Sequence, residues 1–126
     1  MEYNTKIFIV LGSINSALSV ILGAFGAHVL KGRFTEDLMA TFHTGTQYHF
    51  FHSLGLFAVA FVASLLPNSL LTQWSGWLMF VGIIIFSGSL YLLCFTGIRW
   101  LGAITPLGGL SFIIAWLLLT IAVLKA

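Results

Sequence analysis

Three of the four histidines of this chain fall within ten residues, in the stretch FHTGTQYHFFHSL (Phe42–Leu54), and the fourth, His28, lies at the end of an apolar run. An imidazole near neutral pH can move a proton, bind a metal through a ring nitrogen, or hydrogen-bond a neighbouring helix. Tyr48, Tyr91, Cys94 and several serines are placed to join such chemistry. Metal or haem ligation needs further donors, and no CxxC, HExxH or carboxylate-rich helix occurs. Imidazole catalysis needs a third group to orient the ring, and the apolar segments around these residues contain no carboxylate. The expectation is a protein without catalytic residues, metal or cofactor, in which the imidazoles hold helices together or contact a ligand.

The elements that position these residues follow from composition. The chain is 60% hydrophobic and 6% charged, with a mean hydropathy of +1.09, too apolar to be solvated as a water-soluble globule. A membrane-spanning helix needs about 20 mostly apolar residues. Four such windows tile the sequence: Ile7–Leu30, Thr46–Leu66, Trp74–Phe95 and Thr105–Leu124. The expected fold is all-α, a single transmembrane domain over residues 1–126 built as an up-down-up-down bundle of four helices. An alternative reads the first window as a cleaved signal peptide, with Ala24–Ala27 as the cleavage site; its length and the single preceding charge, Lys6, speak against that. Cys94 is the only cysteine, so no internal disulfide forms, and it reads as a small apolar filler. The net charge of +2 is too small and scattered for nucleic acid. The expected partners are the lipid bilayer and a second copy or another membrane protein.

Spacing then assigns faces. Gly12, Ser16, Ser19, Gly23 and Gly26 share one side of the first helix. In lipid, where apolar contact does not drive helices together, such a small-residue seam allows close backbone approach. Ser75, Gly82 and Ser89 form a shorter line on the third helix, and Asn15 is expected to hydrogen-bond across the first seam. Thr35 reads as an N-cap with Glu36 and Asp37 in the first turn, which starts the second helix well before its apolar window. Trp74 and Trp77 read as interfacial anchors. Thr105-Pro106 reads as N-cap and first helical residue; the rival reading starts that helix near Arg99 with a kink at Pro106.

Alternation of the spans places His28, His49, His52, Tyr91 and Thr105 towards the membrane surface that carries loops one and three. At 100° per residue His52 groups with Gly45, Tyr48, His49 and Leu56 while His43 and Gln47 point the other way, which makes His52 and Tyr48 the candidates for the inner face. His28 and His52 are therefore expected at similar depth near Tyr91, with His52 hydrogen-bonded by Ser89, Tyr91 or the His28 region. His43 is expected at the aqueous interface.

Four ordered stretches carry a resemblance: LGAFGAHVL (Leu22–Leu30), YHFFHSL (Tyr48–Leu54), IFSGSLY (Ile85–Tyr91) and ITPLGGLSF (Ile104–Phe112). Together they resemble, over nearly the whole chain, a family of small bacterial inner-membrane proteins of unknown function, the YgdD/YwdK type, with small eukaryotic transmembrane relatives. The resemblance implies four membrane helices and no established activity. Residue by residue it points to His28, Tyr48, His52, Ser87, Ser89, Tyr91 and Thr105 as a polar cluster, and to Gly88, Pro106, Gly108 and Gly109 as packing positions; His43 and His49 lie outside its pattern. Lys31, Arg33 and Arg99 nominally place loops one and three in the cytoplasm, whereas the resemblance implies cytoplasmic termini, so both orientations stand. Three functions are consistent with these features: binding of a partner, lipid or small ligand at the polar end of the bundle, a subunit of an oligomeric transporter or channel, and an intramembrane enzyme. The first is favoured, because mid-membrane charge, repeats and an orienting carboxylate are all lacking.

Overall fold

The computed structural model describes residues 1–126 and contains four helices long and apolar enough to cross a membrane: α1 (Tyr3–Leu30), α2 (Glu36–Leu65), α3 (Leu70–Thr96) and α4 (Thr105–Leu124). A 3₁₀ turn over Arg99–Ala103 leads into α4. The Thr35 hydroxyl accepts from Leu38 N at 3.2 Å, so α2 starts where the acidic first turn indicates and runs 30 residues. Ser69 caps α3 in the same way, through Thr72 N. Gly97 ends α3 in the left-handed region at φ 72°, where a residue without Cβ is unstrained.

Two helices contain a stretch of wider i→i+5 winding, Gly26–Leu30 at the end of α1 and Ile83–Ser87 within α3. Such a turn inserts about one extra residue and changes which side the following residues face. At its end Ser87 meets α2, and beyond it Tyr91 meets α2 while Ser89 meets α4.

The bundle is two helical hairpins, α1 on α2 and α3 on α4, joined through α2 and α3. Its main apolar core, Phe8, Leu56, Val59, Met79, Ile83, Phe112 and Ala115 among others, fills the half near the α2–α3 turn. A smaller cluster of Leu30, Phe42 and Cys94 fills the opposite end. Serines tie the helices together between and within these clusters. Ser75 donates to Ala115 O at 2.7 Å, Ser111 to Leu78 O at 2.7 Å, and Ser87 to Gly45 O at 2.8 Å. Each hydroxyl reaches a carbonyl on another helix, the polar glue that substitutes for a hydrophobic drive in lipid.

The small-residue seam on α1 is realised in part. A Cβ on Gly12 would lie 3.1 Å from Ser53 O, and one on Gly26 would lie 2.6 Å from the Phe42 ring. Ser19 is buried but bonds back to Ser16 O, and the Ser16 hydroxyl has no partner. Gly23 departs from the expectation: a Cβ there meets nothing within 4 Å. Gly23 borders an open groove between α1 and α2. On α3 and α4 the close approach is at Gly82 and Gly108, where a Cβ would stand 2.5 Å from Phe112 and 2.4 Å from Phe86 N. Gly88 has open space, Gly109 sits at an ordinary 3.8 Å from Phe86, and Pro106 is exposed. Those three positions are not sites of close helix contact.

The start of α4 also differs from the sequence reading. Ile104 is the N-cap residue, and Thr105, the first helical residue, turns its hydroxyl sideways onto Ser89 Oγ at 2.6 Å. Pro106 still occupies the first turn, where its missing N–H is harmless. The 3₁₀ turn from Arg99 runs almost directly into α4, so each of the two readings holds one half of the answer.

Candidate functional site

Depth fixes what each polar group can do. The midpoint of α2 falls between Phe50 and Phe51. Exposed Trp100 sits at the loop-three end of the bundle and exposed Trp74 at the other, so α2 is centred between two aromatic belts. At about 1.5 Å per residue His49 and His52 lie within about 3 Å of the midplane, Gln47 about 5 Å from it and His43 about 11 Å, all inside a hydrocarbon half-thickness of about 15 Å.

At the midplane His49, buried at 4% exposure, joins three helices. Its Nε2 lies 3.0 Å from Asn15 Oδ1 on α1 and its Nδ1 lies 2.9 Å from the Tyr91 hydroxyl on α3. Asn15 Nδ2 donates to Leu11 O at 2.8 Å, which leaves Oδ1 as the end facing His49. An amide oxygen only accepts, so Nε2 carries the proton and Nδ1 accepts from Tyr91. The result is a one-directional chain, Tyr91 to His49 to Asn15 to the α1 backbone, in which every nitrogen of the ring is used.

His52 is held with the opposite tautomer. Nδ1–H donates to Tyr48 O at 2.8 Å, and Nε2 accepts from the Trp116 indole N–H on α4 at 3.1 Å. Its ring lies on Phe112 with centroids 3.5 Å apart and planes 11° apart. No ring nitrogen remains on either residue to ligate a metal or take a substrate proton. No three His, Cys, Asp or Glu side chains converge anywhere in the chain.

The expected polar cluster is therefore divided. His52 points into the bundle as expected, but its partner from another helix is Trp116, which the sequence reading overlooked. Tyr91 meets His49 and not His52. Tyr48 stacks beside His52 yet is 40% exposed, at the edge of the buried arc. His28 is exposed on the wide turn of α1, which continues beyond the Gly26–Phe42 contact. That contact puts His28 level with Ala40, roughly 18 Å along the axis from His52, so the two are not at similar depth. Ser87, Ser89 and Thr105 bond to carbonyls or to each other and close helix interfaces. His49, outside the recognised pattern, is the centre of the buried polar layer. Its signal was angular: it shares the arc of Gly45, the position against which Tyr91 packs.

Open polar groups lie elsewhere. His43 and Gln47, exposed as the helical angle indicates, border a groove of about 550 Å³ between α1 and α2 with Ser19, Gly23 and Thr46. A smaller recess of about 220 Å³ continues it past Gly26 to Met39. Ser19 and Thr46 bond back to their own helices. The imidazole of His43 and the amide of Gln47 are left facing the groove at hydrocarbon depth. His43 is thus exposed, as expected, in the wall of a lateral groove between α1 and α2.

Comparison with known proteins agrees with this architecture. A family model described as a protein of unknown function, DUF423, matches residues 22–109. The UPF0382 membrane protein YwdK of Bacillus subtilis is 54% identical over 95% of this chain and 98% of its own length. UPF0382 membrane protein SERP0230 of Staphylococcus epidermidis is 48% identical over 95% and 97% of the two chains, and a Staphylococcus saprophyticus homologue 44% over 95% and 98%. No solved structure matches. Family, four apolar helices and a name shared along the full length coincide, and the chain belongs to the DUF423 family of UPF0382 membrane proteins.

Proposed function

We propose that this protein is a non-catalytic, multi-pass resident of the cytoplasmic membrane that binds an amphiphile in the groove between α1 and α2. The observation that carries the reading is the pair His43 and Gln47, exposed at hydrocarbon depth on a groove lined by Ser19, Gly23 and Thr46. A polar side chain facing acyl chains without a partner costs on the order of 2 kcal/mol or more. A ligand whose polar part reaches these groups while its chain stays in lipid removes that cost. The buried imidazoles are already satisfied and offer a ligand nothing without breaking the bundle. No carboxylate lines the groove to orient the His43 imidazole, which supports a binding role over a catalytic one.

Native mass spectrometry of the protein released from membranes tests this. The wild type should retain an amphiphile that Gly23→Phe, which fills open space at the groove, and His43→Leu/Gln47→Leu both lose. Identical retained mass in all three would overturn the reading. A dimer that only these variants dissociate would assign the groove to a second copy instead.

A further inference from the structure

A second cavity, on the other side of α2 from that groove, lies at the loop-one and loop-three surface and encloses about 600 Å³. Its walls carry two opposite charges, Asp37 from the first turn of α2 and Arg99 from the turn before α4, together with Thr35, Leu38, Leu93 and Gly97. Asp37 enters the internal bonding through its carbonyl, which accepts from Thr41, so its carboxylate remains free. Arg99 is exposed, and its guanidinium makes no hydrogen bond within the chain. A Cβ at Gly97 would meet nothing within 4 Å, so the cavity stays open beside the left-handed turn.

We propose that this cavity binds the headgroup of a zwitterionic phospholipid bearing a primary ammonium. Guanidinium takes a phosphate in a fixed two-pronged geometry, and a carboxylate takes an ammonium through charge-assisted hydrogen bonds. One charge of each sign gives the lining no net preference for an anion or a cation, and favours a ligand that carries both. Thr35 spends its oxygen on capping α2 and is not needed for the contact. The source is a lipid and not a free solute because of placement. The cavity opens where α3 ends and exposed Trp100 marks the interface, and Leu38 and Leu93 form its apolar side walls. A quaternary ammonium has no N–H for Asp37, so a choline headgroup is disfavoured on the same geometry. This site shares no residue with the groove between α1 and α2 and stands or falls independently of it.

The test uses the full chain in nanodiscs made with equal parts of ethanolamine, choline and glycerol phospholipids, read as lipids retained in native mass spectrometry. Wild type should retain the ethanolamine lipid about tenfold over the other two, the discrimination expected of a charge-assisted hydrogen bond near the surface. Asp37→Asn should abolish the preference over the glycerol lipid, and Arg99→Gln should reduce retention of both. Both positions are exposed, and unchanged helical circular dichroism verifies that the variants fold. The Gly23→Phe variant, which fills only the other groove, should keep the preference. Soluble glycerophosphoethanolamine at the lipid's concentration should not displace it; displacement would show that a free solute is the ligand and overturn the lipid assignment. Equal retention of the three lipids by wild type, or an unaltered preference in Asp37→Asn, would overturn the proposal.

Discussion

Gly108 lies tightly against the α3 backbone, and substituting it tests whether that contact organises the second hairpin. An added Cβ would stand 2.4 Å from Phe86 N and 2.7 Å from Phe86 Cα, both backbone atoms that no rotamer change can move. Relieving the overlap requires the helices to part by about 1 Å, an overpacking that costs about 1–3 kcal/mol. The separation also stretches the Thr105–Ser89 bond at 2.6 Å and the Ser111–Leu78 bond at 2.7 Å, each worth about 0.6 kcal/mol in a membrane bundle. Alanine offsets about 1 kcal/mol of this through its better helix propensity. Gly108→Ala should therefore lose about 1–3 kcal/mol net. Gly109→Ala, with its nearest neighbour at 3.8 Å, and Gly23→Ala, with none within 4 Å, carry only the propensity term. Both should be neutral or gain up to about 1 kcal/mol. Unfolding in mixed micelles, followed by tryptophan fluorescence, ranks the three. Equal midpoints for Gly108→Ala and Gly109→Ala would show that the close approach at Phe86 is not what holds α3 to α4.

The remaining expectations use the same unfolding assay. Tyr91→Phe leaves His49 Nδ1 buried without a donor, and a double-mutant cycle with Asn15→Leu should show that the two bonds to His49 are coupled by about 0.6 kcal/mol; a coupling of zero would break the proposed one-directional chain. His52→Ala removes a ring stacked on Phe112 and bonded by Trp116 and should lose about 2 kcal/mol or more, whereas His43→Ala, which removes an exposed and unpartnered polar group, should not lower stability. Equal losses at those two positions would mean that their division between interior and groove is wrong. Gly23→Leu should not lower the unfolding midpoint, because its side chain enters the open groove; a large loss would restore Gly23 to the packing seam.

Most of the fold was legible because the bilayer leaves so few alternatives. Long runs without charge can only be spanning helices, and Thr35 followed by Glu36 and Asp37 marks a helix start by local chemistry alone. The site was less legible, for two physical reasons. The apolar window of α2 begins near Thr46, which makes His49 and His52 look terminal, yet the helix begins at Glu36 and carries both to its middle. And α2 has neighbours on several sides, so a single inner face does not exist for it. His49 looks towards α1 and α3, His52 towards α4, and Tyr48 falls on the exposed margin. The wide winding at Ile83–Ser87 has no proline to announce it, so nothing in the sequence placed Tyr91 against Gly45 and His49.

The closed and the open polar groups are linked through the rotation of α2. The chain from Tyr91 through His49 to Asn15 fixes that rotation from two sides, because a helix turned by even one residue would leave His49 buried with no partner in lipid. Gln47 lies two residues before His49 and His43 six before it, so at 100° per residue both are turned onto a different arc of the same helix. Locking His49 inward therefore locks His43 and Gln47 onto the groove beside Gly23. The same rotation aims Asp37 across α2 towards the cavity that Arg99 completes. A buried histidine whose two ring nitrogens are both bonded inside the bundle thus keeps the polar groove and the charged cavity on separate sides of one helix.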